Sequence, residues 1–341
     1  MNPTTIATFR QLANFLRCEE DFLTAYLGGD HYLEDRRHST PMPPITRYTS
    51  VIQKLYLPKK SGAPKSFRET FSIRTDTLKN ALKGLNTYLQ HSFEPSDAVH
   101  GYVADKNIRT NAEAHLGRKY LLSVDIHKFF ESINSKMVEA SLKQLGYSDF
   151  AALHISRFTT LNDFLPPGFN TSPTLSNLVV HEMDIQFLAL CGNDCTYTRY
   201  ADDLYFSSDS DLPSLPSIEK IIGSHGFSLS PQKTKYMNRG RKQYVTGLTV
   251  FDHVRPHVSR SIKRNLRLEL HYMQKYGMRD HMLHELHYTR KEYDSDPDIS
   301  IEVGNALERL DNAVAGWIHY MKSVEPTAAA RFEAIYKKIV L

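Results

Sequence analysis

The sequence predicts an α+β fold, and three observations predict it. Arg199-Tyr200-Ala201-Asp202-Asp203-Leu204-Tyr205-Phe206 places two adjacent carboxylates at a tight turn between β-forming flanks, residues 196–200 and 204–206. Upstream, the apolar run Leu121-Leu122-Ser123-Val124 stops at Asp125, as a buried strand ending at an acid would, and continues as Ile126-His127-Lys128-Phe129-Phe130. Residues 135–162 and 303–324 carry their apolar side chains at helical spacing. An isolated Asp-Asp is ordinarily a solvated turn. With the Tyr-Ala prefix and a second acid at a strand end it becomes a candidate site for a hard cation, which takes carboxylate oxygens and keeps waters with which to meet phosphates.

Taken in order, residues 1–50 read as helical and then irregular, ending in the Pro41, Pro43, Pro44 cluster. Residues 51–57 are strand-like and 77–90 helical, with Lys59-Lys60-Ser61-Gly62 as a basic turn between them. Residues 106–250 hold the acidic elements, interrupted by the amphipathic helical stretch 135–162. Between Asp125 and the Asp-Asp pair, Leu165-Pro166-Pro167-Gly168-Phe169-Asn170-Thr171-Ser172-Pro173 forms a loop that runs into an apolar helix. From Arg260 onward helices dominate, and residues 261–276 are strongly basic. The chain shows no internal repeat and no low-complexity segment.

A chain of 341 residues with 41% hydrophobic content buries a substantial core and exceeds one ordinary domain, which predicts subdomains around a cleft. The formal charge of +4 understates the electrostatics. One basic block runs from Lys54 to Lys83, a second from Lys233 to Arg267, and acids dominate residues 194–211 between them. Phosphate-binding base flanking metal-binding acid points to a nucleic-acid partner. Cys18, Cys191 and Cys195 form no disulfide framework or paired metal spacing; Cys191 and Cys195 read as small buried side chains. No leader pattern and no membrane-length apolar run occurs, so an intracellular, cytoplasmic protein without a membrane partner is expected. His281, His284 and His287 recur every third residue without a spaced carboxylate, which suits an exposed helix face better than a metal stripe. The sequence has neither Gly-x-Ser-x-Gly nor His-Glu-x-x-His, and a hydrolase reading lacks support.

Asp125, the Pro-Gly loop and the Tyr-Ala-Asp-Asp hairpin, in that order, resemble the palm of a reverse transcriptase. The resemblance implies a right-hand polymerase fold: N-terminal helices and fingers over residues 1–105, a palm of antiparallel sheet packed on helices over 106–250 with a fingers insertion at about 135–162, and a helical thumb over 251–341. It implies two Mg²⁺ ions, bridged by Asp125 and Asp202, supported by Asp203, with the main-chain carbonyl of Ile126 as a further ligand. Two such metals activate a sugar hydroxyl and stabilise leaving pyrophosphate, so in-line displacement needs no protein nucleophile.

Pro58-Lys59-Lys60-Ser61-Gly62, followed by Lys65, is similar to the family's fingers motif and implies cations that clamp the incoming triphosphate; a plain hairpin tip is the alternative. Lys233, in Ser230-Pro231-Gln232-Lys233-Thr234-Lys235, matches a basic motif after the palm hairpin. It is a candidate proton donor to pyrophosphate or a phosphate contact. Phe130 stands where the family has an aromatic under the incoming sugar, leaving no room for a 2′-hydroxyl; core packing is the rival role, which suits Phe129. Gly168 would let the backbone approach the nucleotide, and Phe169 lies beside it. Phe169 and Asn170 depart from the family's common Ala-Pro, and Pro167 replaces a frequent Gln.

Asn111-Ala112-Glu113-Ala114-His115 and Val245-Thr246-Gly247 match two motifs of retron reverse transcriptases. Residues 110–113 also satisfy a capping box, and 245–250 could be an ordinary strand. The tail Gly316-Trp317-Ile318-His319-Tyr320 resembles the thumb end of retron and group II intron enzymes. The resemblance implies RNA contacts at Asn111, His115, Val245, Thr246 and Gly247, and the second basic block adds Lys263, Arg264 and Arg267. It further implies RNA-templated DNA synthesis from deoxynucleoside triphosphates. Such an enzyme binds its own structured noncoding RNA of msr-msd type, primes from a guanosine 2′-hydroxyl and leaves a branched RNA-DNA molecule, msDNA. Anti-phage defence with a separately encoded effector protein is the expected setting, and a stand-alone enzyme without an appended nuclease- or maturase-like segment is expected. Two alternatives stay open: a diversity-generating or abortive-infection reverse transcriptase, which shares the acids, and a non-catalytic RNA-binding scaffold.

Overall fold

Amphipathic helices open the chain because their apolar residues fall on one face. In the computed structural model, which describes residues 2–28, 33–35, 51–58 and 67–340, α1 (Phe9–Leu16) starts at Thr8, whose side chain accepts from Gln11 N. Helix α2 (Glu20–Leu27) carries Glu20 and Asp21 in its first turn. Strand β1 (Leu33–Asp35) lies parallel to β2 (Ile52–Pro58), which pairs antiparallel with β3 (Phe67–Ile73). Helix α3 (Asp76–Ser92) buries Leu78, Ala81, Leu82, Leu85 and Leu89 along one stripe.

The chain continues through α4 (Ile108–Glu113), β4 (Tyr120–Asp125), α5 (Phe129–Ser132), α6 (Ser135–Gln144) and α7 (Asp149–Thr159). Next come α8 (Ser172–Val179), α9 (His181–Cys191), β5 (Cys195–Tyr200), β6 (Asp203–Ser208), α10 (Leu215–Ser224) and β7 (Lys235–Asn238). Strands β8 (Tyr244–Val245), β9 (Leu248–Thr249) and β10 (His257–Val258) precede α11 (Arg260–Tyr276), α12 (Met278–Glu285), α13 (Arg290–Ser295), α14 (Pro297–Val324) and α15 (Pro326–Val340). The helical stretch expected over 135–162 is the pair α6 and α7, capped by Asn134 and Ser148.

Two compact units divide the chain. The first comprises Met1–Asn107 and Leu122–Tyr236, the second Ile108–Leu121 and Met237–Leu341. These boundaries cut the sequence differently from a division at 105 and 250, because residues 108–121 and 237–250 group with the C-terminal helices. The first unit holds a four-stranded sheet in the order β5-β6-β4-β7 and one apolar core, to which α1, α3, α7 and α9 contribute Leu12, Leu82, Phe158 and Phe187. No helix among the described residues is long and apolar enough to cross a membrane.

At the centre of the first unit sits a buried ion pair. Arg199 on β5 and Asp184 on α9 are both fully buried, with Arg199 Nη2 2.7 Å from Asp184 Oδ2 and Nε 2.8 Å from Oδ1. Tyr197 Oη donates to the same Oδ1 at 2.7 Å, and Arg199 Nη1 donates to Asn177 Oδ1 on α8 at 3.0 Å. Burial works against the guanidinium charge, but the Asp184 carboxylate outweighs it and holds Arg199 above its ordinary range. Removing one partner strands the other charge in the core. Asp184→Ala or Arg199→Ala should each lower stability by about 3–5 kcal/mol in urea unfolding. An apolar double substitution, Asp184→Leu with Arg199→Met, should recover only part of that, because Tyr197 Oη and Asn177 Oδ1 lose their partners.

In the second unit, Thr246 (φ 45°) and Gly247 (φ 83°) are both left-handed and join β8 to β9, so the Val-Thr-Gly triplet is the tip of a two-residue hairpin. Strand β9 pairs in turn with β10. The helical part of this unit buries Leu266, Leu270, Met273, Leu283, Val314, Ile318 and Met321. His281, expected on an exposed face, is instead buried beside Glu269, 3.1 Å from its Oε2, because α12 turns that position toward α11. Cys191 is buried as expected, Cys195 is only partly buried, and Cys18, Cys191 and Cys195 are free thiols.

Candidate active site

Each acid is placed by the end of a strand. Asp125 closes β4, and Asp202 and Asp203 follow Ala201, whose φ of 56° makes the turn between β5 and β6. The turn is pinned to β4 by Ile126 N, which donates to the Asp202 carbonyl oxygen at 2.9 Å. Ile126 itself is buried, and its backbone is bridged on the other side to Leu229. This lattice brings the three carboxylates sequence analysis named into one electrostatic neighbourhood.

Their charges show it. Burial, then the charge of Asp125, pushes the Asp202 carboxyl above the usual range. Burial, then Asp202 and Asp125, pushes Asp203 up to about 7. Lys233 Nζ lies 2.6 Å from Asp125 Oδ2. Burial acts to lower the Lys233 ammonium, yet its hydrogen bond to Asp125 and the charges of all three acids hold it above its ordinary range. Lys233 is thus a fixed cation at the site.

The donor set fits a hard cation. Asp125 Oδ1 is buried with no hydrogen-bond partner, an orphaned acceptor beside two more carboxylates whose protonation is favoured only by crowding and burial. Among the described residues, however, no three His, Cys, Asp or Glu side chains already converge as a metal-ligating cluster. Lys233 occupies one oxygen of Asp125 in this arrangement.

Around the acids, Phe129 and Phe130 lie side by side. Phe129 is in the core against Phe227, while Phe130 is half-buried with its ring 5.4 Å from that of Phe129. The Pro-Gly loop is docked on β3: Phe71 N donates to Pro167 O at 2.7 Å and Thr70 Oγ1 donates to it at 2.9 Å. Gly168 has φ 108°, and a Cβ there would collide with the Phe71 carbonyl oxygen. The glycine is therefore required by the strand beneath it. Phe169, expected at the nucleotide, is a core side chain at 2% exposure; any contact from this position comes from its backbone. Lys59, Lys60 and Lys65 lie outside the described residues.

The residues expected at RNA separate into two groups. Asn111, His115 and Val245 are fully buried in the second unit, which corrects a reading of their side chains as surface contacts. They sit where α4 meets β8 and β9, and Thr246 Oγ1 donates to Ile108 O at 2.9 Å, so both motifs build one support for the Thr246-Gly247 tip. Asn111 keeps both side-chain polar atoms without a partner there. On α11, Arg264 and Arg267 are exposed on one face, whereas Lys263 is committed to the buried Glu325, 2.6 Å from its Oε2.

Sequence reading missed Asp184, Asn177, Gly101 and Tyr102. Asp184 leaves a signal: an acid flanked by Met183 and Phe187 on the buried face of α9 breaks that face's apolar pattern.

Comparison with known proteins bears on this site. A family model described as reverse transcriptase (RNA-dependent DNA polymerase) matches residues 57–272. A retron Mx162 reverse transcriptase of Myxococcus xanthus is 28% identical over 64% of this chain and 52% of its own length. A retron Mx65 reverse transcriptase of the same organism is 30% identical over 75% of this chain and 62% of its own. The chain thus spans between half and two thirds of the length of these two relatives. A telomerase from Candida albicans, solved with a fragment of telomeric RNA, is 12% identical with a TM-score of 0.43 over 84% of this chain and 61% of that one, a likeness too remote to add to the family match.

Substitution of Gly168 separates loop docking from loop chemistry. Gly168→Ala should cost stability on the order of 1–3 kcal/mol or more in thermal unfolding, from the strained φ and the clash with β3.

Proposed function

We propose, from the premise that the chain belongs to the reverse transcriptase (RNA-dependent DNA polymerase) family, that it copies an RNA template into DNA from deoxynucleoside triphosphates as the enzyme of a retron. The observation that carries this reading is the placement of Asp125, Asp202 and Asp203 at strand ends joined by the bond from Ile126 N to Asp202 O, with the orphaned Asp125 Oδ1 among them. Retron reverse transcriptases among its relatives support the narrower assignment.

Asp125, Asp202 and Asp203 would hold two Mg²⁺ ions, with the Ile126 carbonyl as a further ligand. When bound, the metals supply Lewis acidity at the attacking hydroxyl and the leaving pyrophosphate. The protein's own groups do the rest. Burial of Asp125 and partial burial of Asp202 and Asp203 limit the water around the acids and strengthen their fields. Lys233 brings a persistent positive charge suited to a phosphate, while Gly168 brings backbone close to the nucleotide. The half-buried Phe130 ring excludes a 2′-hydroxyl by contact, which selects deoxynucleotides. Lys59, Lys60 and Lys65 clamp the triphosphate.

The nucleic acid is a structured noncoding RNA of msr-msd type. Exposed Arg264 and Arg267 contact its phosphates, and the Thr246-Gly247 tip, held up by α4, meets its shape. A guanosine 2′-hydroxyl in that RNA starts synthesis, and the product is branched msDNA. A separately encoded effector in anti-phage defence, in the cytoplasm, completes the setting.

Primer extension and RNA retention, measured together, test the reading. Asp202→Asn with Asp203→Asn should abolish extension and leave RNA binding within about twofold, because the acids hold metal while phosphate contacts supply affinity. Extension near the wild-type rate would remove the metal assignment, and equal loss of RNA binding would make the acids structural. Charge has its own signature. Arg264→Ala with Arg267→Ala should weaken binding to cognate and scrambled RNA alike and flatten the log-log salt dependence by roughly one unit per lost contact to duplex phosphate, and by less for single strands.

A further inference from the structure

The segment ending at Tyr102 is laid along the outer edge of β5 as though it were a further strand. Arg199 N donates to Ala98 O at 2.9 Å, His100 N donates to Arg199 O at 2.8 Å, and Val99 bridges Arg199 in parallel. This pairing covers the edge of the sheet that carries the acids. Asn177 Nδ2 then donates to Gly101 O at 3.0 Å. A Cβ on Gly101 would come within 2.5 Å of Ala201 N, so only glycine allows the segment to touch the Asp-Asp turn.

With its backbone held this way, Tyr102 takes φ 63°, a conformation costly for an aromatic residue, and is itself 44% exposed. The exposed ring lies 6.2 Å, centroid to centroid, from that of Phe130 and tilted 56° to it. Core packing does not account for a strained backbone that presents a ring to solvent. A ligand does.

We infer that Tyr102 is a specificity-determining residue of the site, forming with Phe130 a two-ring wall against the sugar and base of the incoming nucleotide. The inference rests on the polymerase reading above. Phe130 limits the sugar from one side, and Tyr102, next in the chain to the Gly101 that packs on the turn carrying Asp202, sets where the nucleoside lies relative to the acids. Aromatic faces suit this because they contact every base and demand no particular hydrogen bond.

Steady-state extension of a primed RNA template by the full chain, with one deoxynucleoside triphosphate varied, tests it. Tyr102→Gly removes the ring while relaxing the left-handed backbone, and its melting temperature should not fall. Its KM for the deoxynucleotide should rise about tenfold with kcat changed less than about threefold, and Tyr102→Phe should keep a KM within about twofold of wild type. Three outcomes overturn the proposal: an unchanged KM in Tyr102→Gly, a loss seen only as weaker primer-template binding by fluorescence polarisation, or a lower kcat that tracks a lower melting temperature. A wild-type chain that extends nothing overturns the polymerase reading and this inference with it, whereas extension with an unchanged KM in Tyr102→Gly sinks this inference alone.

Discussion

The Arg199 to Asp184 ion pair is the constraint on which the site depends. It ties β5 to α9, and through Asn177 to α8, at the point where β5 is about to turn into Asp202 and Asp203. Arg199 Nη1 also reaches the Ala201 carbonyl at 3.3 Å, so one buried cation both satisfies Asp184 and braces the left-handed residue of the turn. Buried pairs of this kind add little net stability compared with well-packed apolar side chains, but they fix one arrangement, since any other strands a charge. At a site where acids must be held to a fraction of an ångström, that property matters more than the stability.

Around this brace, segments distant in sequence converge. Residues 98–101 use the backbone of Arg199 as a strand partner, while β3 uses Pro167 to fix the loop that carries Gly168. Both junctions need a glycine, and for the same reason: backbone meets backbone with no space for a Cβ. Neighbouring carboxylates and burial raise the energy of the charged forms of Asp202 and Asp203, an effect offset in part by Lys233. The strain is of the kind a cation relieves.

The second unit applies a different logic. Its two motifs are not two contact surfaces but one assembly, in which α4 supports a two-residue turn with both residues left-handed. A threonine at φ 45° is unfavourable, and the bond from its Oγ1 to Ile108 O helps hold it there. Buried Asn111, without a partner for either polar atom, marks the same region as one whose polar groups are not all served within the chain.

By itself, the sequence determined the α+β class, the β5 to β6 hairpin, α3, the α6 and α7 pair and the long C-terminal helices, because these follow from local periodicity and turn chemistry. It also singled out Asp125, Asp202 and Asp203 as candidate metal ligands, because they sit at strand ends beside apolar runs. Only the tertiary structure decided which neighbours those acids have. Asp184 and Arg199 pair across elements, Tyr102 reaches Phe130 through a segment with no local signature, and Lys263 is spent on Glu325 whereas Arg264 and Arg267, on the same helix, stay exposed. Burial likewise sent Phe169, His115 and Asn111 inward although their sequence context suited a surface. The physical reason is common to all of these. Periodicity records which face of an element is apolar, but the partner of a buried charge, or the ring that stands beside an exposed one, depends on contacts between residues far apart in the chain, which no local pattern encodes.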